Sequence, residues 1–555
     1  MTKYQGYEVT DATHKTSIHN EWKTVVAQKK PVRGVTLTIG VFFDGTGNNR
    51  ENTASRLMQF NECSAYKQGI NQKEAQSCED FSKAINKDSI SNGSYRGYYS
   101  NIHWLNLLYK PNQSLSENQV VAQIKTYISG VGTAAGESDS AIGMGLGTSI
   151  LDVFEGVVTK TDKAIRGIAE ELLAFMKRNI KQDFCIAKIQ FDIFGFSRGA
   201  AAARHFANRV TGQDPAIASA ITKGLRGDFY DGKPSGEVRF LGLFDTVAAI
   251  GGISNFFDIN SRSNPGIKLE LRPSVARKVF QITAMNEYRY NFSLNSIQGM
   301  WPELALPGAH SDIGGGYNPV GSPLQENEYL FLSCPEFEMV SYDTRETDTR
   351  VYRNAEKDRD ILASLPALKY LLPHGKITIK TCSVSVIPGK QCTAGCIQKQ
   401  VGAAVFFERM AIPNEWASVS LRVMLDAAQE AGVLFAPIDP QNPDMQLIPE
   451  LIPLAEKAIA QGKAVRLGKE PQAFTEEERR LIGKYTHCSA NWNIESDRYL
   501  WVDAKTGEIS IHRFGPKQGK ALFFPNKPSD RWLRNVWNME DQQRINDNAV
   551  IKAMI

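Results

Sequence analysis

Residues 189–212, IQFDIFGFSRGAAAARHFANRVTG, decide how this chain is read. An apolar run ends in Gly195-Phe196-Ser197-Arg198-Gly199, and a run of small residues follows. The spacing predicts a buried strand, a sharp turn and a helix, with Ser197 at the apex of the turn. Gly195 and Gly199 leave room where the backbone bends and where helix and strand nearly touch. The alanine run lets the helix sit close on a sheet. A Gly-x-Ser-x-Gly pattern is too common by chance to settle whether Ser197 is a nucleophile, so the surroundings must decide.

Outward from this stretch, strands and helices alternate. Val35–Phe43 in GVTLTIGVFFDGTGNN reads as a buried strand closed by a Gly/Asn-rich loop, and SNIHWLNLLYK (100–110) as a helix capped by Ser100 or Asn101. QIKTYISGVGT (123–133) reads as a second buried strand, and residues 149–180 as a long amphipathic helix. The helix after Ser197 is expected to end near Gly212. VRFLGLFDTVA (238–248) is a further strand, SVARKVFQITAMNEYRYNF (274–292) a helix, and PELALPGAHSDIGGGY (302–317) a strand running into a loop. This alternation predicts an α/β fold with a largely parallel sheet flanked by helices, residues 1–33 forming an N-terminal extension and 34–325 the core. Residues 326–405 read as an insertion, with a β-like stretch near VSVIPGKQCTAGC (384–396). Residues 406–435 carry a strong amphipathic helix returning to the core, and 436–555 form a mixed α+β C-terminal region. That region has helices at 451–462 and 475–485 and a hairpin at 498–514.

The bulk numbers exclude several classes. Of 555 residues, 42% are hydrophobic and 22% charged, ordinary for a folded soluble protein. With 64 basic and 60 acidic residues the net charge is +4, too small a field to recruit nucleic acid. The N-terminus shows no apolar signal region, and no stretch reaches the length of apolar residues that a spanning helix needs. The eight cysteines are scattered apart from Cys392 and Cys396, without zinc-ribbon spacing, so no metal site and no cofactor are expected.

A serine hydroxyl needs a base, and the base an orienting acid. In an α/β-hydrolase these follow the serine in the order acid, then histidine, each after a strand. Asp245 closes the strand VRFLGLFD and His310 opens the Gly-rich loop after PELALPGA, although a carboxylate at a strand end also serves as a plain loop cap. His205 lies eight residues beyond Ser197 on the same helix, about 12 Å along the axis, and cannot reach it. His487, in KYTHCSANW, is a rival base. One oxyanion-hole N–H is expected from Arg198 and the other from Gly45 or Thr46 in the DGTGNN loop, with Asp44 tying down that turn. The same loop also resembles a phosphate-binding turn of a phosphotransferase. The glycine cluster Gly130–Gly136 lacks a following helix and makes a weak dinucleotide site. Asp312 and Asp44 as metal ligands are likewise outweighed by a structural role.

Taken together, GVFFDGTGNN, YISGVGT, FGFSRGAAAARHFAN, LGLFDTVA, EYRYNF and LPGAHSDIGGGY resemble the family-1 lipase effectors of bacterial type VI secretion, in that family's order and over about residues 34–320. The helix VSLRVMLDAAQEAG is also similar, the remainder much less so. The resemblance places the family's nucleophile on Ser197, its acid on Asp245 and its base on His310. It implies an antibacterial phospholipase A acting on glycerophospholipid membranes, made in the cytoplasm and injected into the periplasm of a rival cell. A spike protein of the VgrG type and a periplasmic immunity lipoprotein are the implied partners. It further implies that regions outside the core approach the bilayer, with Trp532 and Trp537 as candidates and buried core aromatics as the alternative. Two other functions remain open at this point: an idle hydrolase scaffold acting as a binding module of the secretion apparatus, and a phosphotransferase.

Overall fold

The computed structural model describes residues 31–46, 48, 50, 53, 97–112, 114–130, 150–225, 232–248, 266–322, 327–386, 398–490, 498–502, 509–513, 528–529 and 531–539, with Tyr4–Gln5. Its centre is a seven-stranded sheet. Tyr4–Gln5 (β1) lies antiparallel to the start of β2 (Pro31–Phe43), and the other strands, β3 (Val121–Ile128), β4 (Phe184–Phe196), β5 (Glu237–Phe244), β6 (Lys278–Ala284) and β8 (Glu303–Leu306), run parallel to their neighbours. The parallel strands stand in the order β3-β2-β4-β5-β6-β8. β4 is buried from Gln190 through Phe196, the near-continuous apolar pattern of a parallel strand covered on both faces. Strand order reverses between β2 and β4, and ligands of open α/β sheets bind at the carboxyl ends of strands at such a switch point. The DGTGNN loop leaves β2 and Ser197 leaves β4.

Helices cover both faces. α2 (Ile150–Arg178), α3 (Arg198–Thr211) and α4 (Pro215–Gly224) close one core, in which Ala200 to Ala203 are fully packed against the sheet. α1 (Asn101–Leu108), α7 (Trp416–Glu430) and α8 (Ile452–Arg466) close the other around Phe42, Phe194, Phe240 and Met424. Each such side chain, fully buried, contributes about 1.5–3 kcal/mol. Ser100 caps α1 by accepting from the His103 N–H at 3.2 Å, as its sequence position predicts. The amphipathic helix α7 buries Trp416, Val419, Val423 and Met424 in this second core. α9 (Glu476–Lys484) starts on a reciprocal capping box between Thr475 and Glu478.

The helix expected over 274–292 is instead the strand β6, a loop and one 3-10 turn at Tyr290–Phe292. Six of the seven residues of KVFQITA are buried between β5 and β8. A short apolar run buried on both faces fits helical and extended spacing equally, and only its neighbours in the sheet select the strand. His310, expected in a loop, is the first residue of the short helix α5 (His310–Gly314).

Beyond the core, β9 (Glu328–Phe331), β10 (Glu336–Ser341), β11 (Lys376–Val386) and β12 (Gln398–Arg409) form a four-stranded antiparallel sheet against α6 (Arg350–Ser364). β12 continues past residue 405 to Arg409. The predicted hairpin is β13 (Arg498–Val502) paired with β14 (Ile509–Arg513). A last parallel pair joins β7 (Leu294–Asn295) to β15 (Val536–Trp537). Trp532 is buried against Tyr288, ring centroids 5.2 Å apart, so it is a core aromatic, whereas its neighbour Leu533 is 63% exposed. Cys185 and Cys488 are buried free thiols. Cys392, Cys396 and nearly all of the Gly130–Gly136 cluster lie outside the described residues. Among the described residues, no helix is long and apolar enough to cross a membrane.

Candidate active site

Ser197 sits between β4 and α3 with φ 57° and ψ −127°, in the left-handed half of the map that a residue with a Cβ rarely occupies. The turn is over-determined by its neighbours. The Ser197 N–H donates to the Phe244 carbonyl at 3.1 Å, and its own carbonyl accepts from Ala200 at 3.0 Å and Val247 at 3.4 Å. A Cβ on Gly195 would stand 2.6 Å from the Gly199 carbonyl oxygen, and one on Gly199 would collide with the carbonyls of Phe43 and Asp44. Those contacts press the loop after β2 against the serine turn. Arg198 is the first residue of α3.

Asp245, at the end of β5, is fully buried and also has positive φ (43°). Its backbone bonds lie one residue from those of Ser197: Phe244 accepts from Ser197, and the Asp245 N–H donates to Ile282 at 2.7 Å. Its carboxylate stands 2.5 Å from His310 Nδ1 and accepts the Ala284 N–H at 3.0 Å. The Arg534 guanidinium grips both oxygens, at 2.6 and 2.8 Å. Burial by itself raises the affinity of Asp245 for a proton, but Arg534 and His310 overcome it and hold the carboxyl well below its ordinary range. Asp245 is therefore an anion.

His310 is buried, its ring 4.6 Å from Phe196 and 5.1 Å from Phe292. Phe196 directly precedes Ser197, so the structure brings the histidine to the end of β4 from which the serine turn leaves, as well as onto Asp245. Burial pushes the imidazole below its usual pKa, and the hydrogen bond and charge of Asp245 offset only part of this. The His310 N–H donates to Glu287 at 3.3 Å. Glu287 is itself buried and holds Arg289 through two 2.8 Å bonds and Ser489 at 2.8 Å.

The remaining candidates separate on their partners. His205 Nδ1 accepts from Lys268 N at 3.1 Å, and burial, with Arg209 and Lys268 adding to it, pushes its pKa down to about 4. His487 Nδ1 lies 2.7 Å from Asp312 and its ring stacks on Tyr317. Asp312 also accepts from the N–H groups of Ala309 and His487, both at 2.8 Å. Asp44 accepts from Gly45 N at 2.7 Å, Ser100 Oγ at 2.7 Å and the Tyr127 hydroxyl at 2.6 Å. Both carboxylates are occupied by the protein's own donors, and no group of His, Cys, Asp or Glu among the described residues is arranged to hold a metal. The Gly45 N–H is thus used inside its own turn. Thr46, next to it, has a buried hydroxyl with no hydrogen-bond partner among the described residues.

Sequence reasoning missed Arg534, Glu287 and Arg289. EYRYNF carried no spacing that marks Glu287 as an anchor, and RWLRN (531–535) carried no motif at all.

Comparisons with known proteins agree with this architecture. The profile of the family described as type VI secretion system, phospholipase effector Tle1-like, catalytic domain, matches residues 224–330, a span that holds Asp245 and His310 but not Ser197. A Tle1 effector solved bound to the VgrG spike of the type VI secretion system is 77% identical, with 97% of this chain and 100% of that chain covered and a TM-score of 0.76. An uncharacterized protein from Pseudomonas aeruginosa aligns at 20% identity over 52% of this chain and 42% of its own, with a TM-score of 0.28 that carries no argument. No curated protein matches. With three quarters of its residues shared over nearly its whole length, the chain belongs to the Tle1-like phospholipase effectors of the type VI secretion system.

Proposed function

We propose that the chain is a serine phospholipase A that cleaves acyl esters of glycerophospholipids through Ser197, His310 and Asp245. The observation that carries the reading is the buried Asp245–His310 contact beside a serine held at positive φ between strand and helix. With Nδ1 committed to Asp245, Nε2 of a neutral His310 is the free base. It takes the proton of Ser197 as Oγ attacks the acyl carbonyl, and returns it to the departing lysolipid oxygen. Water, deprotonated by the same nitrogen, then releases the fatty acid. The N–H groups of Arg198 and Thr46 are the proposed oxyanion donors, Gly45 being occupied by Asp44. The hydrolysis requires no metal or organic cofactor.

The partner and the destination follow from family membership. The 77% identity to an effector solved on its VgrG spike supports delivery on a spike of that type. The antibacterial role, the periplasm of a rival cell as target and protection by an immunity lipoprotein complete the proposal. Residues 436–555 are the part offered to the bilayer or a partner, with exposed Leu533 in place of Trp532. The phospholipase family match displaces the phosphotransferase alternative. The test is product analysis on liposomes of defined acyl composition. Wild type should release fatty acid and lysolipid in equal amounts, and Ser197→Ala should release neither; a fluorophosphonate should label the former and not the latter. Undiminished lipolysis by Ser197→Ala would remove this mechanism, and no lipolysis by the wild type would favour the idle-scaffold reading.

A further inference from the structure

We propose that Arg534 is a positioning residue of the esterase site, a guanidinium delivered from the C-terminal segment that orients the catalytic acid and supplies its countercharge. The inference rests on the Ser197–His310–Asp245 reading. Arg534 and Asp245 are 289 residues apart in sequence, yet the fork binds both carboxylate oxygens, at 2.6 and 2.8 Å. The same guanidinium reaches the Ala284 carbonyl at 3.2 Å and, through Nε, the Phe292 carbonyl at 2.8 Å. Ala284 donates its N–H to Asp245, and the ring of Phe292 flanks His310. One side chain therefore fixes the acid, the strand end that binds the acid, and the backbone of a residue packed on the base.

The segment that carries Arg534 is itself tied down on both sides. Trp532 is buried against Tyr288. Leu294 donates to the Asn535 carbonyl and Ser296 to that of Trp537, both at 2.9 Å, through the β7–β15 pair. Met539 receives Arg204 Nη2 at 3.2 Å, and Arg204 lies on α3, the helix that begins at the serine turn. These anchors hold the guanidinium where a long exposed arginine would otherwise lose it to rotamer freedom.

The chemistry explains why a cation belongs there. A fully buried carboxylate facing a neutral imidazole has no countercharge in the resting enzyme, and an uncompensated buried anion takes up a proton or reorients. Either change would cost His310 its productive tautomer. A planar fork meets both oxygens and fixes the carboxylate plane, which a lysine cannot do. Among the described residues, the other charged groups facing this pair are Glu287 and Arg289, which neutralise each other and do not touch Asp245.

The test compares Arg534→Met and Arg534→Lys with wild type and Ser197→Ala on a soluble short-chain p-nitrophenyl ester, with melting curves on each protein. Misplacing the acid by about 1 Å should lower kcat of Arg534→Met by roughly 100-fold while KM stays within about two-fold. Removing the cation also makes an imidazolium beside Asp245 easier to form, so the acidic limb of kcat/KM should move to higher pH. Arg534→Lys keeps the charge and loses the fork: kcat should fall by about ten-fold with the limb in place. A folded Arg534→Met with wild-type kcat and an unmoved limb overturns the proposal. If that variant does not fold, Arg534→Lys decides: lowered kcat with the limb in place supports the proposal, and wild-type kcat overturns it. Failure of the underlying mechanism is separate, because only then does Ser197→Ala keep activity.

Discussion

Asp312 holds His487 at 2.7 Å, two residues along α5 from the histidine that contacts Asp245. Two histidine–carboxylate pairs thus meet at one short helix, and their surroundings assign them different roles. His310 packs on Phe196, directly before Ser197, whereas His487 stacks on Tyr317 and lends its backbone to Asp312 as well. The second pair fastens the C-terminal region to α5. Replacing His310 with alanine should therefore cost about 10³-fold or more in kcat, the scale of losing the general base of a triad. His487→Ala should stay within ten-fold in activity while its melting temperature falls. Ester hydrolysis and thermal denaturation of both variants check the assignment, and the reverse ranking would exchange the two histidines.

Asp245→Asn keeps the shape of the acid and removes its charge. The amide favours the wrong imidazole tautomer, and kcat is expected to drop by about 10⁴-fold. The guanidinium of Arg534 also loses its countercharge in a buried setting, so the variant should be destabilised by several kcal/mol, about 3–5 for a broken buried pair. Stopped activity with an unchanged denaturation midpoint would show that Arg534 contributes no stability here.

The pH profile follows from the burial of His310. The proposed base acts as neutral imidazole, so activity should be lost as pH falls through its pKa in the folded protein. Burial places that value below the ordinary 6.5, and the rising limb of kcat/KM should have its midpoint below 6.5. A midpoint above 6.5 would mean that Asp245 outweighs burial.

Glycines at the crowded contacts tolerate no side chain. A Cβ on Gly314 would enter the ring of Phe196, and neither partner can yield, since one opens onto the serine turn and the other onto His310. Overpacking of this kind costs about 1–3 kcal/mol. Gly314→Ala should lose stability on that scale and activity out of proportion to it, measured by urea denaturation alongside hydrolysis.

Asp44→Ala tests the loop after β2. The side chain satisfies Gly45, Ser100 and Tyr127, and its removal leaves the buried Gly45 and Ser100 donors without this acceptor at about 1–3 kcal/mol each. The turn that presents Thr46 loses its tie, so kcat should fall at least ten-fold with fluorophosphonate labelling slowed in parallel. Unchanged labelling would place the second oxyanion donor elsewhere.

Much of this was legible along the chain because the signals are local. The buried strand before Ser197, the alanine-lined helix after it, the Ser100 cap and the amphipathic returning helix each follow from residues within one element, whose periodicity and caps report burial directly. The order serine, acid, histidine, each after a strand, was enough to nominate Ser197, Asp245 and His310, of which the structure brings Asp245 and His310 into contact. Residues 278–284 were misread because a seven-residue run buried on both faces has no face to alternate, and only β5 and β8 on either side make it a strand.

By itself, then, the sequence determined the α/β alternation and nominated the side chains proposed to carry the chemistry, since both depend on short-range pattern and residue type. Tertiary structure alone decided which histidine faces which carboxylate, that Asp44 claims the N–H of Gly45, and that Arg534 reaches Asp245 from the far end of the chain. Hydrogen bonds and ion pairs act over a few ångströms of space and are indifferent to separation along the polypeptide, so no local pattern records them.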